Sequence, residues 1–597
     1  MKTKNAQQGV EGPAVAESRL DTGASFPPRY TSDGRGMLRR DAGVYVLHLQ
    51  GSDEDMARQH GELLAAEIRQ GAIPFMAGYL PGQIHDESFP WPFVWLARQS
   101  LELLTRFIGG RLPREHRSSL EAVARGAGLP PHILVQALGV ADGLPILMDV
   151  MGRIHGLGAA VGALGSAGRG MGCSGVIALP EATRDGHVFH GRNLDYDGFG
   201  FWDRFPLVAF CRPLEGQAYA FVSSAGAHTA ALTAMNASGL FLGSNTAPTR
   251  DVSLRGVPFF VVNENALRKA RTLGEAVVLL GDERPVSGYN VHLSHRDGEA
   301  AVVEYSYSKS RVRRPKDGLL FATNHYLVPE MAATSPELPI VDLASSAGRL
   351  ARLEARLGPS RGQITLEQVI DCMRDQVEQA AGETRPAGDV VLNYYNIASV
   401  VADVTERRLW VTAEAAPCAL GRYVMFDLQG ELESFGKERA YPLEEVPGVP
   451  ESPASMAVGK LLDAHVALAH HHDPKAARAC LKEALGAAPE EGRLHLDLAL
   501  VELNLSNPEP AKWHAQRFLE LALPSEPRRH RGHLVLAWCN DLAGQRAEAV
   551  EERARARAAA RGSRSAEFEL SVFGRKRMTP GDCKGMQIDL YNGRRLA

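Results

Sequence analysis

The chain has 597 residues, of which 45% are apolar, so its length predicts two or three domains with enough side chains for a sizeable core. Its 66 basic and 70 acidic residues give a formal net charge of −4, and this balance argues against nucleic acid or a charged membrane surface as a partner. The seven cysteines are scattered and lack C-x-x-C spacing, which argues against a disulfide framework or a zinc site and favours a reducing compartment.

The first 36 residues are expected to form a disordered tail. They contain no apolar core of the length that a secretory signal needs, and no later segment reaches about 18 uninterrupted apolar residues. The sequence therefore predicts neither an export signal nor a membrane span, and the cytoplasm is the expected location.

Residues 37–172 predict a mainly helical segment that begins with one strand, VYVLHLQG. Ser52 is the expected N-cap of the first helix, and further helices are expected up to about residue 150. The run at residues 156–172 is rich in glycine and approximates the G-x-G-x-x-G fingerprint, but its spacing is off by one and no βαβ unit frames it. We therefore expect a flexible loop that leads into Cys173, and no bound cofactor.

The stretch GMGCSGVIALPEATRDGHVFHGRNLDY, residues 170–196, predicts a β-hairpin. It consists of an apolar run, a turn at residues 183–186 with a glycine where positive φ is expected, and a second extended run. With the turn at this place, Cys173 lies across from residues 192–196, at a neighbouring-strand spacing of about 5 Å.

Three polar side chains of this hairpin, Cys173, Arg192 and Asp195, are candidate catalytic residues. A thiol is a useful nucleophile only when it is ionised or lies next to a base, and a guanidinium with a carboxylate can hold the leaving amine and the developing charge. A free cysteine near a hairpin is more often a small core residue. The wider sequence pattern decides between these interpretations.

Three later segments carry further candidates. LTAMNASGLFLGSNT contains Asn236 in an M-N-x-x-G-L context, GLLFATNHYL ends an apolar strand near Asn324, and SSAGRLARLEARL places Arg349 at the start of an amphipathic helix. Taken singly, such asparagines usually form turns and such an arginine is usually solvated. The order Cys, Arg, Asp, Asn, Asn, Arg, with these local contexts, is not expected by chance.

Together these segments resemble the N-terminal-nucleophile (Ntn) hydrolases, in the group that holds isopenicillin N acyltransferase, choloylglycine hydrolase and acid ceramidase. The resemblance rests on the Gly172–Cys173 junction, on the T-x-DG and GRNLDY motifs of the hairpin, and on the contexts of Asn236, Asn324 and Arg349. In this superfamily the bond before the nucleophile is cut, and the freed cysteine becomes the first residue of the catalytic chain.

The resemblance implies a role for each residue of the hairpin. Cys173 is the nucleophile and its own α-amine is the base, while Arg192 and Asp195 orient the substrate. An α-amine has an unperturbed pKa of about 7.7 to 8.0, so it can accept the thiol proton near neutral pH. Arg349 matches the arginine of an S-x-x-R signature in the family.

The resemblance also implies that Asn236 and Asn324 form the oxyanion hole, a task that suits uncharged amide donors. The implied function is an autoprocessed amidohydrolase or acyltransferase that acts on a small-molecule N-acyl amide, not on an ordinary peptide. Whether water or a second amine takes the acyl group stays open, because this depends on which acceptor occupies the emptied leaving-group site.

Residues 173–440 predict the catalytic domain. Consecutive strands with hairpin turns, and helices separate from them, indicate an α+β fold with antiparallel sheets covered by helix layers. The resemblance implies a four-layer αββα Ntn-hydrolase sandwich. It also implies that residues 37–172, with their Q-H-G-x-L-L phrase, are a helical pro-segment that stays attached as a small subunit.

A Pro-rich linker is predicted at residues 441–455, an all-α helical domain at residues 456–562 and a tail at residues 563–597. Helical segments recur at about 34 to 36 residues and resemble tetratricopeptide (TPR) pairs, although an unrelated helical bundle also fits. We expect this part to bind a protein partner or to self-associate. Adjacent histidines such as His470 and His471 point in different directions on a helix end, so no metal site is predicted.

Two alternatives stay open. One is a helical-repeat scaffold or binding protein whose Ntn-like region does not catalyse. The other is an unprocessed thiol hydrolase in which Cys173 acts with an external base. Processing predicts pieces of 172 and 425 residues, whereas both alternatives predict an uncut chain.

Overall fold

The computed structural model describes most of the chain. The described residues are 26–83, 91–153, 172–336, 343–437, 439–524, 526–574, 577–584, 586, 588–590 and 594–595. Most of the glycine-rich run that predicts a cleavage loop, residues 156–171, lies outside the described residues. The predicted junction at Gly172 lies inside them.

Extended segments with apolar residues at alternate positions form the strands. Their bounds in the described residues are β1 (Arg29–Tyr30), β2 (Met37–Asp41), β3 (Val44–Gly51), β4 (Gly172–Ala178), β5 (Phe189–Asp195), β6 (Pro206–Pro213), β7 (Tyr219–Ser224), β8 (Thr233–Asn236), β9 (Leu240–Thr246), β10 (Tyr289–His295), β11 (Glu299–Tyr305), β12 (Ser310–Arg313), β13 (Leu319–Ala322), β14 (Val377–Glu378), β15 (Glu383–Thr384), β16 (Asn396–Asp403), β17 (Arg408–Thr412), β18 (Tyr423–Asp427), β19 (Glu445–Val446), β20 (Ile588–Asp589) and β21 (Arg594–Arg595). A first sheet has the order β1-β2-β3-β6-β7-β8-β9-β10-β11-β12, and a second sheet has the order β13-β4-β5-β16-β17-β18-β19.

Helices occupy the segments between and after these strands. Their bounds in the same residues are α1 (Asp53–Leu63), α2 (Ala65–Gln70), α3 (Ala72–Gln83), α4 (Trp91–Gly110), α5 (Arg114–Gly126), α6 (His132–Arg153), α7 (Phe259–Lys269), α8 (Leu273–Asp282), α9 (Pro329–Ala332), α10 (Leu343–Leu357), α11 (Leu366–Met373), α12 (Leu428–Glu433), α13 (Pro453–Ala469), α14 (Pro474–Ala487), α15 (Gly492–Asn504), α16 (Pro508–Leu521), α17 (Arg529–Leu542), α18 (Arg546–Ala560), α19 (Arg564–Phe573) and α20 (Pro580–Lys584). The predicted N-cap is confirmed, because the side chain of Ser52 accepts a hydrogen bond from the N–H of Asp55.

The two sheets pack face to face through an apolar layer. In β3, Val44 and Val46 point into this layer, where they join Ile177 of β4. Leu47 and Leu49 of the same strand point the other way and join the outer helices. The alternation of side chains along one strand thus builds an inner and an outer core at once.

Helices cover the outer face of each sheet. Met56 of α1, Val123 of α5 and Leu267 of α7 pack on the first sheet. Leu353 of α10 and Ile370 of α11 pack on the second sheet. The layer order is therefore helix, sheet, sheet, helix, and the predicted α+β class with a four-layer αββα sandwich is confirmed.

The N-terminal segment contributes strands to this sandwich. β2 and β3 belong to the first sheet, where β3 runs parallel to β6. The prediction of a disordered tail over residues 1–36 is wrong for its last part, since residues 29–30 pair with β2 and the N–H of Ser32 donates to the Glu62 carboxylate, 2.7 Å away. A strand of two residues is too short to show periodicity in the sequence.

Three consecutive pairs of packed helices, α13–α14, α15–α16 and α17–α18, confirm the predicted C-terminal helical region. The TPR assignment stays a prediction. The predicted linker and tail both contact their neighbours: β19 pairs with β18, and Arg493 Nη2 of α15 donates to the carbonyl oxygen of Leu590, 2.6 Å away. In the part of the chain that the structure describes, no helix is long and apolar enough to cross a lipid bilayer.

Candidate active site

β4 and β5 form the predicted hairpin, and its register decides which face each polar side chain occupies. The register pairs are Gly172 with Asp195, Cys173 with Leu194, and Gly175 with Arg192. The partner of Cys173 therefore lies within the predicted range of residues 192–196. Since side chains alternate along a strand, Cys173 and Arg192 share the face toward the first sheet, and Asp195 lies on the other face beside Gly172.

The Cys173 thiol is buried next to a positive charge. Its side chain is 5% exposed, and Nη2 of Arg192 lies 3.7 Å from its Sγ. The same Nη2 donates to the carbonyl oxygen of Ser244 in β9, 3.0 Å away, which ties the hairpin to the first sheet. Burial raises the pKa of the Cys173 thiol, and the nearby Arg192 charge offsets only part of this effect. The thiol is therefore neutral in the uncut chain and needs a base.

The backbone of Cys173 is held by two residues that are distant in sequence. The Cys173 N–H donates to Oδ1 of Asn324, 2.7 Å away. The buried guanidinium of Arg349 donates to the Cys173 carbonyl oxygen, to Ser174 Oγ at 2.9 Å and to the same Asn324 oxygen at 2.8 Å. The structure thus brings Cys173, Asn324 and Arg349 into one hydrogen-bonded cluster.

Asp195 lies against the predicted cleavage junction. Its carboxylate accepts hydrogen bonds from Asn396 Nδ2 at 2.8 Å and from Asn393 Nδ2 at 3.4 Å. Burial raises the pKa of Asp195 to about 6, although the positive charge of Arg349 and these amides oppose the rise. A Cβ added at Gly172 would lie only 3.1 Å from Oδ2 of Asp195. Glycine therefore fits before Cys173, where a larger residue would crowd this carboxylate.

The structure does not bring Asn236 to this cluster, and its predicted place in the oxyanion hole is corrected. Nδ2 of Asn236 donates to the carbonyl oxygens of Leu267 and Ala270, both 2.8 Å away, and its Oδ1 accepts from the N–H of Leu240. Asn236 therefore lies beside the first residue of β9, whereas Arg192 binds near the last. Five residues of strand separate Leu240 from Asn245, which is roughly 17 Å.

Asn245 of β9 is the buried amide that the sequence reasoning missed. Its Nδ2 donates to the carbonyl oxygen of Ala322, 3.1 Å away, two residues before Asn324. Nδ2 of Asn324 in turn donates to the carbonyl oxygen of Thr246, 2.9 Å away. The signal in the sequence is the polar ending of the apolar run LFLGSNT, which places an amide on the inner face of β9.

The helical region touches the segment that follows Asp195. Nε2 of His465 and Nε2 of His470 lie 3.2 Å and 3.5 Å from Oδ1 of the buried Asp197, and the His470 ring stacks on Phe199. Phe199 also lines a cavity of about 300 Å³ together with residues of α13. The first helix after the predicted linker is therefore part of the surroundings of the active-site strand.

Comparison with known protein families gives a match over the middle of the chain. Residues 182–416 match the family described as acyl-coenzyme A:6-aminopenicillanic acid acyl-transferase. This segment is therefore similar to a domain of that family. It contains Arg192, Asp195, Asn324 and Arg349, and Cys173 lies upstream of its first residue. The predicted resemblance to an acyltransferase family is confirmed over these residues.

Similar proteins cover part of the chain. An uncharacterized protein of Archaeoglobus fulgidus is 25% identical over 322 residues, which are 49% of this chain and 52% of that protein, so the chain spans about half the length of this curated relative. A mutant of the conjugated bile acid hydrolase from Clostridium perfringens is 14% identical with a TM-score of 0.31, covering 46% of this chain and 96% of that one. Penicillin V acylase from Agrobacterium tumefaciens is 13% identical with a TM-score of 0.30, covering 46% and 91%.

Proposed function

We propose that the protein is an autoprocessed cysteine amidohydrolase or acyltransferase that acts on a small-molecule N-acyl amide through an acyl-enzyme on Cys173. One observation carries the proposal. The backbone nitrogen of Cys173 lies 2.7 Å from Asn324 Oδ1 while its Sγ lies 3.7 Å from Arg192, so both atoms of a future N-terminal cysteine already have polar partners.

The first reaction is self-cleavage. Sγ of Cys173 attacks the carbonyl carbon of Gly172, the peptide C–N bond breaks, and the thiol proton goes to the nitrogen that becomes the α-amine. Water then hydrolyses the thioester between the two residues, which frees the Gly172 carboxylate and restores the thiol. Asn324 Oδ1 holds the new amine, because it already accepts a hydrogen bond from this nitrogen.

The second reaction is turnover. The α-amine of Cys173, with an unperturbed pKa of about 7.7 to 8.0, takes the thiol proton as Sγ attacks the acyl carbonyl of the substrate. The same proton then goes to the leaving amine, and the acyl group stays on sulfur as a thioester. Water or a second amine completes the cycle. Among the described contacts of Cys173 none is with a histidine, which favours the α-amine over an external base.

The oxyanion donors in this proposal are Asn324 and Asn245, the latter in place of Asn236. Each carboxamide has two N–H groups and uses one of them on a backbone carbonyl oxygen. The second N–H of each is assigned to the oxyanion that forms on the attacked carbonyl. Removal of one such donor usually costs about 3 kcal/mol of barrier.

The experiment that tests the proposal follows processing and turnover together. Purified protein is run on a denaturing gel, the N-terminus of the larger piece is read by mass spectrometry, and amine release is assayed with β-lactam, bile-salt, ceramide and acyl-amino-acid amides. A new N-terminus at Cys173 and release of amine from one class are expected. A whole, inactive chain would favour the helical scaffold, and a whole, active chain would favour the external base.

The two pieces are expected to stay together after cutting. β3 remains paired with β6 over its whole length, and Glu431 accepts hydrogen bonds from Arg39 and His48 of the N-terminal piece. Size-exclusion chromatography should therefore give one peak that contains both bands of the denaturing gel. Elution of the N-terminal piece by itself in native buffer would contradict this arrangement.

A side chain at the junction is expected to slow self-cleavage. In the Gly172→Val variant, Cβ meets Oδ2 of Asp195, whose Oδ1 accepts a hydrogen bond from Asn396, so the peptide bond before Cys173 must be displaced from its present position. A displacement of about 1 Å can cost about 10²-fold in rate. The time course of the two bands measures the effect. Gly274→Val is the control, because nothing lies within 4 Å of a Cβ at that position.

Self-cleavage is expected to speed up as pH rises through about 6. Burial raises the pKa of Asp195 to about 6, so its carboxyl group is protonated below this pH and ionised above it. The ionised form stabilises the positive charge that develops as the thiol proton moves to the nitrogen of residue 173. Precursor made by in vitro synthesis is incubated between pH 4.5 and 8, and the Asp195→Asn variant should lack the inflection. A flat wild-type profile in this range would contradict a role for the carboxylate.

The small-molecule substrate, the cytoplasmic location and a protein partner or self-association through the helical region stay predictions of the sequence. The contacts of α13 with Asp197 support a bracing role for that region beside any binding role.

A further inference from the structure

Two buried histidines cross the layer between the sheets close to the nucleophile's strand. Nε2 of His190 in β5 lies 2.6 Å from Nδ1 of His292 in β10. On one side, Nδ1 of His190 lies 2.7 Å from Ser294 Oγ, and on the other, Nε2 of His292 lies 3.2 Å from Asn245 Oδ1. The four side chains form one continuous polar chain that ends on the Asn245 carboxamide.

The hydrogen-bond geometry decides which nitrogen of each ring in this row of side chains carries a proton. Nδ2 of Asn245 donates to the Ala322 carbonyl, so the atom that faces His292 is the amide oxygen, which only accepts. His292 therefore carries its proton on Nε2, and its Nδ1 accepts the proton that His190 carries on Nε2. Nδ1 of His190 then accepts the hydroxyl hydrogen of Ser294. Burial lowers the pKa of both rings, for His190 to about 3, which agrees with two neutral imidazoles.

The surrounding backbone is shaped around the His292 ring. A Cβ added at Gly243 would lie 2.1 Å from a ring carbon of His292, and one at Gly175 would lie 2.8 Å from it. Gly175 is two residues after Cys173 on the same face of β4. Two glycines, one on the neighbouring strand β9 and one on β4 of the other sheet, therefore leave room for this imidazole.

The chain of contacts leads from His292 to the nucleophile. Asn245 holds the carbonyl oxygen of Ala322, the last residue of β13, and Asn290 donates to the carbonyl oxygens of Thr323 and His325. Between these points lies Asn324, which accepts the Cys173 N–H. With its oxygen fixed by His292, the Asn245 carboxamide cannot turn over, and its N–H groups face the end of β13.

We propose that His292, oriented by His190, is a positioning residue that fixes the Asn245 carboxamide with its N–H groups toward the reacting carbonyl. The inference rests on the proposed function, because this orientation affects turnover only if Asn245 is an oxyanion donor. It adds the buried, hydrogen-bonded pair His190 and His292, between the two sheets, to the residues around Cys173 that serve this function. Neither histidine exchanges a proton with the substrate in this role.

The kinetic test compares variants at His292. His292→Leu removes the donor to Asn245 Oδ1 and is expected to lower kcat by about 10²-fold with KM nearly unchanged, since the Asn245 N–H that His292 orients acts in the transition state. His292→Gln keeps an N–H near the place of Nε2 and should restore most of the loss. His295→Gln, on the opposite face of β10, is the control and should leave kcat unchanged. Wild-type kcat in the leucine variant would overturn the inference.

A spectroscopic test needs no turnover. ¹⁵N shifts of the imidazole nitrogens, measured on histidine-labelled protein and assigned by the two glutamine variants at His190 and His292, should report two neutral Nε2–H rings from pH 5 to 8. A charged ring or an Nδ1–H tautomer would overturn the inference. If the leucine variant does not fold, Ser294→Ala decides: loss of its hydroxyl donor should shift the His190 signals and lower kcat. An inactive wild type would overturn the proposed function, whereas the NMR spectra would still report which ring nitrogens of His190 and His292 carry protons.

Discussion

Replacing Cys173 with alanine is expected to abolish self-cleavage and turnover together, so that only the 597-residue chain is seen on a denaturing gel. Without Sγ, no nucleophile faces either the Gly172 carbonyl or a substrate. The fold should hold, because Asn324 and Arg349 contact the backbone nitrogen and oxygen of residue 173, which alanine retains. Intact mass and the release of amine from an N-acyl amide measure the two losses.

A second buried cysteine provides the control for this experiment. Cys211 of β6 is as buried as Cys173, but it lies in the first sheet and packs among the apolar residues of the outer core. Cys211→Ala should therefore be cut and should turn over substrate like the wild type. Cutting in the Cys173 variant, or wild-type turnover by it, would show that another group is the nucleophile.

The hairpin could be predicted because its information is local. The turn tetrad and the alternation of the two runs fix the pairing of Cys173 with residues 192–196 to within the observed register. The same alternation places Arg192 on the face of Cys173. Asn324 and Arg349 were found through the family resemblance, since 151 and 176 residues separate them from Cys173 and composition does not predict such contacts.

The sequence alone does not show which asparagine of the segment LTAMNASGLFLGSNT lies near Cys173. Asn236 and Asn245 flank the apolar run of β9, and each follows a context that suits a turn or a strand end. Only the pairing of β9 with β10, and the contact of Arg192 in β5 with Ser244 in β9, show which end of the run faces Cys173. A single sequence contains no measure of how two sheets pack.

The helices of residues 456–562 could be predicted from their 3.6-residue periodicity, whereas the packing of the tail could not. Beyond helix α19, buried residues of the tail such as Met578 and Cys583 are isolated and give no helical periodicity. The contacts of His465 and His470 with Asp197 also join residues more than 250 positions apart. These contacts join the helical region to the segment that follows β5.

Replacing Arg349 with methionine is expected to give a less stable chain that is cut at most slowly. The variant keeps the buried stem of the side chain but removes the donors to the Cys173 carbonyl, Ser174 Oγ and Asn324 Oδ1. Breaking a buried charged network from one side typically costs about 3–5 kcal/mol. Since the Arg349 charge also opposes the raised pKa of Asp195, its loss should move the inflection of self-cleavage above pH 6.

Two further arginine variants separate stability from positioning. Arg356→Met, on the same helix α10, breaks a half-exposed pair with Asp375, so its unfolding free energy should fall by no more than about 1 kcal/mol and cutting should be normal. Arg349→Lys keeps the positive charge but not the planar fork, so it should recover stability and the wild-type inflection more fully than the rate of cutting. Chemical denaturation and band time courses measure both quantities. If the methionine variant were cut at the wild-type rate, the cluster of Arg349, Asn324 and Cys173 would be a structural feature that self-cleavage does not use.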